Sequence, residues 1–270
     1  MELLSVAYAL KKNHSSIKII YDVHEDLEAM WDTFSSYSGI IKKFNNWMLS
    51  IYEKKYLSCV DHFIVANRLA RQEKYQKHGS VTIIENFLSS NYIKKIDIIE
   101  NPHKFIYHGQ LSYERGLINL INAFNALSNT HDNLELTLIG NCRTEKFKEH
   151  FLNIINKNNK INYINQIPHN QIWDYLNEAH IGVIPFQDVE LCQYNTPTKL
   201  FEYMATNCGI VASDLDPIKS FCIDSATWAI PGNLDSLIDA MGYYIDNVDQ
   251  YNDHRVINNT LIKEKYNWDY

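Results

Sequence analysis

Short runs of β-branched and aromatic residues alternate along this chain with longer stretches in which apolar positions recur every three or four places, the pattern of strands followed by helices. In the first half, residues 17–21, 62–66 and 81–85 read as strands, and residues 40–57 and 66 to about 77 as helices. The apolar opening, residues 1–10, is followed and not preceded by its lysines, Lys11 and Lys12, and reads as a helix, not a secretory leader. Asn101 and Pro102 mark a turn where a domain boundary is expected. Beyond it the pattern repeats more fully, with strands at 105–108, 134–139, 161–164, 181–185 and 210–212. Helices begin near Arg115, Thr144, Asn170 and Pro197, and two more cover 235–248 and 258–270. This predicts an α/β protein with parallel sheets wrapped by helices, whose ligands bind where strands end and helices begin.

Composition adds limits. The 270 residues, 46% hydrophobic and 21% charged, allow two ordinary soluble domains with a core each. A net charge of −7 argues against a general nucleic-acid binder. Residues 1–104 carry 14 Lys and Arg against 12 Asp and Glu, the remainder 11 against 20. A mildly basic first half could rest on an anionic membrane surface, but a solvated helix face is the ordinary cause and the reading taken. The five cysteines show no paired spacing and fit buried thiols in a reducing compartment. No apolar run reaches the ~18 residues of a membrane span, so a cytoplasmic protein is expected.

Residues 195–205, Asn-Thr-Pro-Thr-Lys-Leu-Phe-Glu-Tyr-Met-Ala, carry the clearest chemistry. A polar cap, Pro197 in the first turn, and Leu200, Phe201, Met204 and Ala205 at helical spacing describe a helix entered from a loop. The first N–H groups of a helix lack helical partners and sit at the positive end of its dipole, so Asn195, Thr196, Pro197 and Thr198 outline an anion site. Lys199 adds a full charge. Glu202, a turn deeper, would repel phosphate but can accept two hydrogen bonds from a diol such as ribose. The pairing suggests a nucleoside diphosphate; the alternative is an amphipathic helix with one Lys and one Glu on its wet side.

With Gly-Ile-Val-Ala-Ser-Asp at 209–214 just behind it, the segment 197–205 resembles the donor-binding segment of the retaining glycosyltransferases of family 4. The resemblance implies a GT-B type fold, two Rossmann-like domains facing across a cleft, and a nucleotide-activated sugar as substrate. In that family the helix carries two glutamates eight positions apart; Glu202 matches the second, which holds the ribose, and Tyr194 stands in place of the first. A second match covers 105–117, where Gly109 follows a strand and Arg115 opens a helix. The glycine lets backbone approach a ligand, and the guanidinium can form a forked pair with phosphate. Relatives place a basic residue directly after the glycine; here it is Gln110, which leaves Arg115 and Lys199 to counter the phosphate charge. The resemblance also puts the loops holding Gly140, Gln166 and Ile167 around the nucleotide, with backbone near Gln166 and Ile167 reading a base that leans to uracil.

In the first half, residues 21–26, Tyr-Asp-Val-His-Glu-Asp, resemble the family's Asp-x-His-Glu segment and put His24 at the carboxyl end of a strand, where it can hydrogen-bond the sugar or the acceptor. Transfer in this family is thought to occur on one face of the sugar, the leaving phosphate helping to take the acceptor's proton, so His24 positions and stabilises. The pair Asp214 and Asp216 has the spacing of a metal site but lies behind the binding helix, so neither metal nor other cofactor is expected.

The expectation is thus a GT-B type glycosyltransferase moving a sugar from a nucleoside-diphosphate sugar, with uridine as the nucleoside, to a glycan or lipid-linked acceptor of bacterial surface polysaccharide. His24, Arg115 and Lys199 would be catalytic. Residues 1–102 would form a partial acceptor-side domain, 103–255 the nucleotide-sugar domain, and 256–270 a terminal helix crossing back. Compared with the family the chain reads as shortened at both ends, without the initial strand and glycine-rich loop. A three-stranded first sheet would leave an edge open to a partner chain or second copy. The shortened first domain motivates the alternative of a catalytically impaired donor-binding or interaction subunit; a sugar-nucleotide epimerase of similar architecture resembles the chain less at 197–205.

Overall fold

The structure, a computed structural model, describes residues 2–23, 30, 31, 35, 37, 39–66, 70–193 and 195–269. Its contacts fall into two compact units, Met1–Asn86 with Val189–Thr196, and Phe87–Asp188 with Pro197–Tyr270.

The first unit contains α1 (Glu2–Asn13), β1 (Ile20–Val23), α2 (Gly39–Leu57), β2 (His62–Val65), α3 (Ala70–Gln76) and β3 (Ser80–Ile83). The strands are parallel in the order β1-β2-β3, with Ile20 opposite His62 and His62 opposite Ser80. Val23, Phe63 and Val65 face Leu4, Leu57, Cys59, Val60 and Tyr75 in one apolar cluster. Asp61, at the entry to β2, draws three donors together: Ile19 N–H at 2.9 Å, Lys11 at 2.6 Å and Lys18 at 3.2 Å. The Lys11 ammonium foremost holds this carboxyl well below the usual range. Along its 19 residues α2 buries only Glu53 and Leu57, so its last turn anchors it, with Glu53 paired to Lys74 at 3.1 Å.

The second unit begins with β4 (Lys104–His108), α4 (Leu117–Leu127), β5 (Glu135–Ile139), α5 (Glu145–Ile155) and β6 (Ile161–Ile164). It continues through α6 (His169–Glu178), β7 (Ile181–Ile184), α7 (Thr198–Ala205), β8 (Gly209–Ser213), α8 (Asp216–Cys222), β9 (Thr227–Ala229), α9 (Leu234–Asp246) and α10 (Val248–Glu264). All six strands are parallel in the order β6-β5-β4-β7-β8-β9. The chain enters at the centre, winds outward to β6, returns to β7 and winds out the other way. The reversal between β4 and β7 is a topological switch point, where strand carboxyl ends diverge and leave a crevice. Every residue of β7 and β8 is buried, as strands covered on both faces require.

The sequence reading missed β9 and α8, whose short Thr-Trp-Ala and Asp-Pro-Ile-Lys-Ser-Phe-Cys stretches carry little periodicity. It also placed the last helix at 258–270, whereas α10 runs Val248–Glu264. That helix buries His254, Arg255, Asn258 and Asn259, so its inner face is polar and apolar periodicity cannot reveal it.

The division between units falls after Asn86, ahead of the boundary expected at 102. Residues 87–103 lack strand or helix beyond a single 3-10 turn, and polar side chains satisfy their backbone. Asn207 Nδ2 donates to Lys95 O at 2.9 Å, Asn259 Nδ2 to Lys94 O at 3.0 Å, and Arg255 Nη1 to Asp97 O at 2.9 Å. Arg255 is 1% exposed and also donates from Nε to Asn207 O at 2.6 Å and from Nη2 to Asp97 Oδ1 at 2.8 Å.

Arg255→Ala strands the buried Asn207 carbonyl and the Asp97 carbonyl at once and should lower the unfolding free energy by roughly 2–4 kcal/mol in urea titrations. Asp97→Ala, which removes an exposed carboxylate, should cost well under half as much; equal losses would show that the ion pair to Asp97, and not the hydrogen bonds to backbone carbonyls, carries the effect.

Candidate functional site

Beyond its first residue, Thr198, every residue of α7 is buried: Lys199 is 8% and Glu202 2% exposed. The wet-face alternative is therefore excluded by the packing. What seats the helix is Tyr203, whose ring lies where a Cβ on Gly182 of β7 would be, 2.3 Å from that position. Pro197, φ −76° and ψ 125°, forms the N-cap itself without a side-chain hydrogen bond, so it precedes the first turn and the expected polar cap is absent. Asn195 and Thr196 group with the first unit, Pro197 is buried and Thr198 exposed.

One turn of helix above Tyr203, the Lys199 Nζ sits 3.9 Å from the centre of the Tyr107 ring and 5.4 Å from that of Phe186. The same ammonium would stand 3.0 Å from a Cβ on Gly109, so it occupies the space at the carboxyl end of β4. Arg115 arrives from the other side, its guanidinium 4.4 Å from the Phe186 ring centre. It precedes α4 instead of opening it, because Gly116 at φ 71° caps the helix. A Cβ on Gly116 would lie 1.7 Å from Pro185 O; only glycine permits this approach, which brings Arg115 to the loop after β7. Two sequence-separated cations thus share one aromatic ring at the switch point.

Glu202 points between two imidazoles. Its Oε1 accepts from His169 Nε2 at 2.6 Å, while Oε2 lies 3.0 Å from His108 Nε2, an ion-pair distance with the ring N–H out of line for a hydrogen bond. Burial pushes the Glu202 carboxyl up, but His108 first and His169 second bring it below the ordinary value, so the group is a carboxylate. Burial lowers the His108 imidazole more than the carboxylate raises it, so His108 is neutral. The result is a buried carboxylate with an oxygen in need of a donor, as a sugar diol supplies.

Beside these residues a cleft of about 480 Å³ is lined by Gly109, Gln110, Gly140, Asn141, Arg143 and Gln166, with Ile167 and His169 at its far side. Gly140 has φ 146°, and a Cβ there would meet Gly109 O at 1.8 Å, so the ends of β4 and β5 can touch only through glycine. Gln110 Oε1 accepts from Arg143 Nη1 at 3.1 Å, and Asn141 Nδ2 donates to Gln166 Oε1. The geometry therefore gathers Gly109, Gln110, Arg115, Gly140, Gln166, Ile167, Lys199 and Glu202 at one set of strand ends.

The model of the family described as glycosyl transferases group 1 matches residues 89–260, well over half of the chain. The chain belongs to this family. Comparison with curated protein sequences finds no match. Among solved structures, this glycosyltransferase is similar to the sucrose-phosphate synthase of Thermosynechococcus elongatus, with a TM-score of 0.74 at 14% identity over 98% of this chain and 68% of that one. It is similar also to Anabaena HepE, solved in complex with UDP and glucose, with a TM-score of 0.75 at 13% identity over 98% and 72%. A third is a UDP-forming α,α-trehalose-phosphate synthase from Burkholderia vietnamiensis, with a TM-score of 0.72 at 11% identity over 97% and 69%. These likenesses establish the GT-B fold.

The sequence reading of the glycosyltransferase missed His108, His169, Arg143 and Phe186. His108 and Phe186 do sit at strand ends, where functional residues concentrate, but nothing in the sequence aims them at Glu202 or Arg115. His24, with Glu25 and Asp26, lies outside the described residues. Asp214 is held by Lys219 through both oxygens at 2.8 Å and Asp216 opens α8; among the described residues no His, Cys, Asp and Glu cluster of metal-binding size occurs. No described helix is long and apolar enough to cross a membrane.

Burial lowers three imidazoles of the second unit: His108, His254, and His180, which falls to about 4 and whose Nδ1 accepts the His103 N–H at 3.1 Å. Each folded value is below the unfolded ~6.5, so the stability they contribute is present above that pH and lost as pH falls through the folded values. The urea midpoint should therefore drop between about pH 7.5 and 5; a flat midpoint across that window would contradict neutral burial.

Proposed function

We propose that this chain is a retaining, metal-independent glycosyltransferase that takes the sugar of a nucleoside-diphosphate sugar, with uridine as the nucleoside, and transfers it to a hydroxyl of a glycan or lipid-linked acceptor in surface polysaccharide assembly. The observation that carries the reading is the placement of buried Lys199 and Glu202 on one helix, the first against Gly109 with Arg115 on the same Phe186 ring, the second with an oxygen needing a donor. A diphosphate fits the cations and a ribose diol fits the carboxylate. Uridine is supported by the UDP held by Anabaena HepE and by the UDP-forming synthase.

In this reading Lys199, Arg115 and the amino end of α7 stabilise charge as it collects on the departing diphosphate, which is the transition-state term that speeds transfer. Protein cations do this directly, so a metal is dispensable. Glu202 anchors the ribose, and backbone near Gln166 and Ile167 meets the base edge. Asn195 and Thr196 lead the chain into the helix start, and His24 steadies the sugar or the acceptor.

A thermal-shift panel of UDP, GDP, ADP and CMP should show stabilisation by UDP, since a ligand that binds only the folded chain raises its melting point. By calorimetry Glu202→Ala and Arg115→Ala should each weaken UDP by about tenfold or more, the value of a lost charge-assisted hydrogen bond. No shift with any nucleotide would sink the reading. A UDP shift without transfer to any acceptor would instead favour a donor-binding subunit.

A further inference from the structure

Helix α2 presents its apolar side to solvent. Ile40, Phe44, Trp47, Met48 and Ile51 recur three or four positions apart, which puts them in one stripe, and they are 48% to 86% exposed. The residues that α2 buries, Glu53 and Leu57, follow Phe44 and Met48 by nine positions, two and a half turns, and so lie on the opposite side. At a rise of ~1.5 Å per residue the stripe is about 16 Å long, an apolar patch of the kind that marks a contact with a partner or a lipid surface. Helix α1, whose Tyr8 meets Tyr56 of α2 edge-on at 5.4 Å, likewise exposes Leu3, Val6 and Leu10. The basic first half, read from sequence as a solvated helix face, is thus an apolar face edged with charge.

That charge has one sign. Apart from Glu53, which is buried and paired with Lys74 at 3.1 Å, every charged residue of α2 is a lysine. Lys43 and Lys54 stand four positions before Trp47 and seven after it, so both line the edge of the stripe that carries this ring, and both are exposed. Next to Lys54 a hollow of about 730 Å³ opens between α2 and α3, and Lys77 and His78 line it too. Burial first, and then the ammonium groups of Lys54, Lys74 and Lys77, lower the His78 imidazole, the effect of a positive potential across the hollow. Its carboxylates are the paired Glu53 and Glu73.

A second copy of the chain, related by a twofold axis, would bring these lysines against their own counterparts, whereas anionic lipid meets them with opposite charge. Aromatic and aliphatic residues on one stripe with lysines along its edge are also the composition of helices that lie in the membrane interface, the rings among the acyl chains and the ammonium groups at the level of the phosphates. We infer that α2 is a docking face for an anionic phospholipid bilayer: the stripe from Ile40 to Ile51 enters the headgroup region, and Lys43, Lys54 and Lys77 meet lipid phosphates. All these residues belong to the first unit, so the docking stands or falls independently of the donor site.

Cosedimentation of the full chain with vesicles tests this. Phosphatidylcholine vesicles containing about a third phosphatidylglycerol should bind the chain at low salt, and phosphatidylcholine alone should bind it about tenfold less well. Salt at ~0.5 M should release most of the bound chain by screening the lysines. Phe44→Ser with Trp47→Ser should weaken binding by about tenfold or more through lost apolar burial. Lys43→Glu with Lys54→Glu should abolish the preference for anionic lipid. These side chains are exposed, so the urea midpoint of both variants should hold, and Trp47→Phe should keep most of the binding, which separates lost contact from misfolding. A wild-type chain that leaves anionic vesicles unbound, or binds both compositions equally, would overturn the inference. Binding untouched by either double variant would overturn it as well, placing the contact elsewhere. A dimer in sedimentation equilibrium that Phe44→Ser with Trp47→Ser dissolves, without vesicle binding, would overturn it in favour of a second copy.

Discussion

Removing an ammonium and a carboxylate from water on one eight-residue helix is the constraint that organises the second unit. Desolvating an ion costs several kcal/mol, and a fold keeps such groups only where other groups meet them. Lys199 is met by the faces of Tyr107 and Phe186, and Glu202 by two imidazoles. Neither arrangement can form on an isolated helix. Both require α7 to be driven into the sheet, which the contact of Tyr203 with Gly182 achieves.

The far end of α7 is fixed with equal care. Asn207, in left-handed conformation at φ 61°, ends the helix, and its carbonyl and side chain are taken up by Arg255, Asn259 and the carbonyl of Lys95. The segment 87–103, α10 and the carboxyl end of α7 thus form one polar network, while the first turn of α7 carries Lys199 to the carboxyl end of β4. Rigid support behind the helix keeps Lys199 and Glu202 in place without reorganisation.

Glycine does the complementary work at the strand ends. The contact of Gly140 with Gly109 O and that of Gly116 with Pro185 O bring three loops within reach of one crevice. Lys199 and Arg115, far apart in the chain, come together for this reason. The doubly wound order makes the crevice, and the missing Cβ atoms make it shallow enough for backbone and side chains to reach one ligand.

Much of this was legible in the sequence. Alternating runs marked eight of the nine described strands, and the segment 197–205 exposed its anion-binding and diol-binding groups through type and spacing alone, because helical periodicity and the chemistry of Lys, Glu and Pro are local properties. Hidden were the elements held by polar contacts, such as the first half of α10 with Arg255, whose partners lie some 150 positions away in the chain and leave no periodic trace. Hidden too was the fate of the charges. Sequence offers Lys199 and Glu202 as residues that a helix can turn either to water or inward, and only packing against β7 decides that they are buried. Equally, His108, His169 and Arg143 acquire their meaning from distances of about 3 Å across different loops, which follow from strand order and glycine contacts and not from any neighbour in the chain.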